Sequence, residues 1–147
     1  MSTERTRKMH RLAALDGFRE QRARQAFVSA KATRDRREEV EAMCLSSRAQ
    51  HLAGVDRLLG SPVLDVSRYA LAGERLEVAA GVAAAATQER EAADGLMAEA
   101  SNAWNLRRLM ADASVQRAEG MTQEDERSAL ARSTADLLDL WIARRPR

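Results

Sequence analysis

Along the second half of the chain, apolar residues recur at alternating steps of three and four. Counted from Tyr69 they run Tyr69, Ala72, Leu76, Ala79, Ala83, Ala86, Arg90, Ala93, Met97, Ala100 and Trp104, and only Arg90 departs from the pattern. Heptad spacing of this kind predicts a long helix whose seam packs on another helix. The seam is thin, because alanine at most of its positions lets two helices approach closely. A second stripe, Leu71, Val78, Val82, Ala85, Ala92, Leu96, Ala103 and Leu106, lies about 100° round the same helix. Together the two stripes form an apolar face broader than one partner helix covers, which predicts that part of it meets another molecule.

The first half matches less well. The run Ala23, Ala26, Ala30, Thr33, Arg37, Val40, Cys44 and Ser47 keeps the spacing with several polar members. Larger apolar residues cluster at its ends, as Leu12, Leu15 and Phe18 and as Leu52, Val55, Leu58 and Leu59. Between the halves stands LLGSPVLD, where Pro62 forbids a helix interior. Here Gly60 is expected to end one helix in the left-handed conformation, and Ser61 or Asp65 to cap the next. The expected fold is therefore all-α, a single long antiparallel two-helix coiled-coil hairpin. Helix 1 runs from about 4 to 59, the turn covers 60–66, helix 2 runs from about 66 to 142, and a basic tail covers 143–147. Helices of that length would be rods of roughly 80 Å and 115 Å. Gly17, Gly54, Gly73, Gly81, Gly95 and Gly120 lack accompanying turn residues, and are expected as soft spots or close-contact points within the helices.

Composition narrows the function classes. An aromatic share of 3% and a charged share of 31% leave no material for a thick core. The net charge of +2 makes no global case for nucleic acid or an anionic membrane surface, although both chain ends are locally basic. The N-terminal segment carries Arg5, Arg7, Lys8 and Arg11 but lacks the interleaved aromatics that stack on single strands, so nucleic acid is not expected as a partner. With no apolar leader and no uncharged stretch of spanning length, a cytoplasmic protein without membrane insertion is expected. Cys44 stands alone, and is expected as a small buried hydrophobe. His10 and His51 have no ligand set around them, and there is no glycine-rich phosphate loop, so neither enzyme activity nor a cofactor or metal is expected. Glu38, Glu39 and the run Glu124, Asp125, Glu126 read as solvated helix faces.

The two tryptophans carry much of the chain's large apolar surface. Trp104 falls in the seam and is expected to pack there. Trp141 stands in LLDLWIARRPR, on a part of helix 2 that helix 1 is too short to cover, because pairing outward from the turn exhausts helix 1 near residue 122. Leu137, Leu138, Leu140, Trp141 and Ile142 thus suggest a docking end, or else an end folded back on the N-terminus.

With this layout, and with SRYALAGERLEVA after the turn, EASNAWNLRRLM around the first tryptophan and the ending ADLLDLWIARRPR, the chain resembles the flagellar export protein FliJ and its injectisome counterpart YscO. The resemblance covers most of the chain and implies a non-enzymatic stalk. Its paired ends would enter the pore of a hexameric type III export ATPase, through Arg5, Arg7, Lys8, Arg11, Leu137, Trp141, Arg144 and Arg145. Its faces nearer the turn would meet an export gate protein at the inner face of a membrane, through Leu45, Ala49, Ala72, Leu76, Ala79 and Ala83. Export chaperones are further partners that the resemblance implies. Those helix 2 positions also belong to the first stripe, so either the second stripe is the seam or the gate positions are displaced. The other readings open at this point are a basic helical hairpin that binds nucleic acid and a generic coiled-coil adaptor.

Overall fold

The computed structural model describes residues 3–63 and 65–144. It contains two helices, α1 (Glu4–Leu59) and α2 (Val66–Ala143), packed against each other as an all-α hairpin, with no strand among the described residues. Each helix starts on a side-chain cap. The Thr3 hydroxyl accepts the Thr6 backbone N–H at 3.3 Å, and Asp65 Oδ1 accepts the N–H groups of Ser67 and Arg68 at 3.1 Å each. Both caps satisfy donors that the first helical turn leaves without a partner. Asp65 is thus the cap of α2, while the Ser61 hydroxyl donates instead to the Val63 carbonyl at 3.1 Å.

The end of α1 differs from the expectation. Gly60 does not take the left-handed conformation, for no described glycine has a positive φ. Its N–H still donates to the Asp56 carbonyl at 3.0 Å, and the Ser61 N–H reaches the Leu58 carbonyl at 3.3 Å. The last turn tightens by one residue and Pro62 then stops it, so no left-handed residue is needed. The interior glycines differ too. A Cβ built on Gly17, Gly54, Gly73, Gly81, Gly95 or Gly120 would meet nothing within 4 Å, so none of them serves a close helix approach.

The chain divides into two compact units, Gln25–Asn102 and Met1–Arg24 with Ala103–Arg147. In the first, Ala83, Ala86 and Ala93 are buried, and Ala72, Leu76, Ala79, Arg90, Met97 and Ala100 are half-buried. The stripe of Ala72 to Ala100 is therefore the seam, and Leu71, Val78, Val82, Ala85, Ala92 and Leu96 stay exposed. The α1 side of this unit presents Phe27, Ala30, Arg34, Glu41, Cys44, His51, Val55 and Leu58. These fall on one register of alternating threes and fours whose other two positions, Arg37 and Arg48, are exposed, and its phase is not the expected one. Ala30 and Cys44 hold their places, whereas Ala26, Thr33, Val40 and Ser47 are exposed and the neighbouring Phe27, Arg34 and Glu41 turn inward. Charged residues occupy the seam because partners on α2 meet them.

In the other unit, the α1 side offers Thr6, Met9, Ala13, Asp16, Glu20 and Ala23, and the α2 side Trp104, Ala111, Ser114, Ala118, Met121 and Asp125. Small residues again dominate the contact, with Ala118 and Thr6 each 1% exposed. Trp104 is half-buried as expected and donates its indole N–H to Glu20 Oε1 at 2.6 Å.

Candidate functional site

Three features outside simple seam packing could act on other molecules. The first is the end of α2 in the unit that holds the termini. Cross-helix bonds fix the pairing there: Asp16 with Ser114 at 2.6 Å, His10 with Thr122 at 2.9 Å, and Thr6 with Asp125 at 2.7 Å. As the α1 number falls the α2 number rises, so the N-terminal end of α1 lies opposite Asp125, three residues beyond the expected 122. From Glu126 to Arg144 every residue is exposed, including Leu130, Leu137, Leu138, Leu140 and Ile142. Trp141 keeps 56% of its surface accessible. Carried past Asp125, the seam would fall on Ser128, Arg132, Ala135 and Asp139, which are mostly polar. The leucines and Trp141 gather on the other side of the helix, roughly 150° away at 100° per residue. The apolar face of this end is thus turned away from the side on which α1 packs.

Arg5, Arg7, Lys8 and Arg11 are exposed on α1 in the same unit, with Lys8 paired to Glu4 at 2.7 Å. Arg144 is exposed at the end of α2, and Arg145 lies outside the described residues. The acidic run is less solvated than expected at Asp125. Its Oδ2 accepts the Thr3 N–H at 2.9 Å and the Thr6 hydroxyl at 2.7 Å. These two bonds, the backbone one first, hold the carboxyl below its usual range against the opposing effect of burial. Asp16 is lowered in the same way, first by the Ser114 hydroxyl and then by Arg19. Both carboxylates act as anchors between the helices.

The second feature is a charged cluster across the seam of the Gln25–Asn102 unit. Arg90 Nε meets Glu41 at 2.7 Å and its Nη1 pairs closely with Asp94, which also accepts Arg34 Nε at 3.0 Å. Arg34 Nη1 reaches Glu38 at 2.6 Å, and Arg37 pairs closely with Glu89. The Arg34 guanidinium is pushed above its ordinary value by the bond to Asp94 and then by Asp35. Arg90, the one break in the heptad pattern, is the hub. Glu38 stays exposed and pairs with Arg34 one turn before it, as a solvated helix face does.

The third feature is an open groove beside that seam, lined by Met43, Ser47, His51, Arg75, Val78 and Val82. Cys44 is half-buried at its floor. Of the residues assigned to a gate contact, Leu45 and Ala49 are exposed on α1. Ala72, Leu76 and Ala79 are half-buried in the seam, and Ala83 is 1% exposed, so α2 presents its second stripe there instead.

Among the described residues no group of three or more His, Cys, Asp or Glu could hold a metal ion, and no helix is long and apolar enough to cross a membrane. Comparison of the chain with protein-family models, with curated proteins and with solved structures gives no match.

Proposed function

We propose that the chain is a non-enzymatic coiled-coil stalk of a type III protein-export ATPase complex, flagellar or injectisome, that links the ATPase ring to the export gate. The observation that carries this reading is the exposed end of α2 beyond Asp125. A helix that runs on for about five turns past its partner, with leucines and Trp141 exposed on the face away from α1, has the chemistry of an anchor for an apolar socket. Arg144 beside it, and the arginines at the start of α1, suit encounter with an acidic pore lining, where they set orientation and rate more than affinity. The motifs quoted above for the resemblance supply the identity of the socket. On this reading the gate side falls to Leu45 and Ala49 with the second stripe of α2, because Ala72, Leu76, Ala79 and Ala83 are engaged between the helices.

The test is titration of the purified chain with the hexameric export ATPase of the same organism. Saturable binding is expected, and Trp141→Ala should weaken it by about 2 kcal/mol or more, as truncation of a central anchor does, with far-UV circular dichroism unchanged. Absence of binding by the wild-type chain would end the export reading. Binding indifferent to Trp141→Ala would remove this end from it.

A further inference from the structure

The exposed second stripe of α2 carries its own heptad, offset by one residue from the seam: Leu71, Arg75, Val78, Val82, Ala85, Glu89, Ala92, Leu96 and Glu99. Val78 is 68% and Leu96 62% exposed, and Val82 borders the open groove against Met43 of α1. An isolated exposed valine means little, but a stripe of this length repeating at three and four is the pattern of a helix that has a second neighbour.

The charges within the stripe select the neighbour. Neither Arg75 nor Glu99 has an ion-pair partner among the described residues. We propose that this face pairs antiparallel with the same face of a second copy of the chain, about a two-fold axis near residue 87 of α2. In that register Val78 of one copy faces Leu96 of the other, Val82 faces Ala92, and Arg75 faces Glu99, each layer occurring twice by symmetry. Glu89 falls opposite Ala85 and keeps its intrachain partner Arg37. A slip of one heptad either way sets Glu99 against Val82 or Arg75 against Ala92, burying an unpaired charge on an apolar residue. An in-register parallel pair sets Arg75 on Arg75 and Glu99 on Glu99. Of these arrangements, the antiparallel one centred near residue 87 sets Val78 on Leu96, Val82 on Ala92 and Arg75 on Glu99, and leaves at Ala85 only a charge that Arg37 already holds. The groove beside Val78 and Val82 gives the incoming helix its seat. The stripe contains none of the residues assigned to the ATPase end, so the inference is separate from that contact, whereas a second copy and the gate would compete for this face.

Sedimentation equilibrium over a wide range of chain concentrations tests it, with the full-length chain throughout. A reversible monomer–dimer equilibrium is expected. Val78→Asp should raise the dimer dissociation constant by about a hundredfold or more, since it strikes both Val78–Leu96 layers. Arg75→Glu and Glu99→Arg should each raise it about tenfold, and the double variant that swaps the two charges should return it to the wild-type value. These positions are exposed, so circular dichroism should show unchanged helicity in every variant. A chain that stays monomeric at all concentrations overturns the proposal. So does a dimer that the charge swap fails to restore, since its register is then a different one.

Discussion

Replacing Arg90 by leucine puts an apolar residue where the heptad pattern asks for one, yet it should destabilise the hairpin. Arg90 sits among Ala86, Ala93 and Met97 with its side chain 25% exposed, and the Glu41 side chain that it meets at 2.7 Å is 14% exposed. Pairs in full solvent are worth about 0–1 kcal/mol, whereas breaking a buried pair from one side costs about 3–5 kcal/mol. At this burial an intermediate loss of about 2 kcal/mol is expected for Arg90→Leu, almost all of it from stranding Glu41 in the seam. Asp94 suffers less, because Arg34 still holds it at 3.0 Å. Replacing Glu41 as well removes the stranded charge, so the double variant Glu41→Leu with Arg90→Leu should recover to near the wild-type stability or exceed it. Urea unfolding followed by far-UV ellipticity on the four proteins of the cycle gives the coupling energy directly. If Arg90→Leu alone costs under about 0.5 kcal/mol, or if the double variant is the least stable of the four, the cluster is not the semi-buried hub that the geometry makes it.

Gly81 and Gly95 lie exposed in the middle of α2 with nothing near a Cβ, so alanine at either should raise stability by about 1 kcal/mol in the same urea assay. A loss at either position would mean that the backbone there is needed for a contact that alanine blocks. Asp16 and Asp125 both have carboxyls held below the ordinary value, so their contribution is fully present above the unfolded-state pKa and is lost as pH falls through the lower folded-state values. Helicity should therefore decline as pH drops below about 4, and Ser114→Ala should shift the Asp16 carboxyl titration, read by NMR, upward toward the ordinary value. An Asp16 titration unmoved by Ser114→Ala would refute that assignment of cause.

The parts of this molecule that were legible in its sequence are those governed by local rules. Pro62 and Asp65 marked the turn, since one forbids a helix and the other caps one, and the alanine spacing of α2 gave the period of its seam while leaving two stripes as candidates for it. Gly60 misled because a glycine ahead of a proline satisfies two ways of ending a helix, and only the backbone shows that the tighter one is used. The phase of α1 was hidden for a different reason. Hydrophobicity favours Ala26 and Val40 over Arg34 and Glu41, and the preference reverses only when Arg90 and Asp94 stand opposite. The clasp of Thr6 on Asp125 spans 119 residues of chain, and no local pattern announces it. It was accessible only through the pairing arithmetic that also placed the end of α1 near residue 122. The same arithmetic made the exposed end around Trp141 visible, although which side of the helix its leucines occupy followed only once the seam was known.

The central claim is that the chain docks on an export ATPase through the end of α2 that α1 leaves uncovered. Hydrogen exchange read by mass spectrometry, on the chain alone and with saturating hexameric ATPase, measures this most directly, because an uncovered helical end opens easily and docking protects it. Strong new protection over residues 126–144, extending to the start of α1, with the Gln25–Asn102 unit little changed, is the predicted result. Protection confined to the Gln25–Asn102 unit, or none anywhere, would contradict the claim.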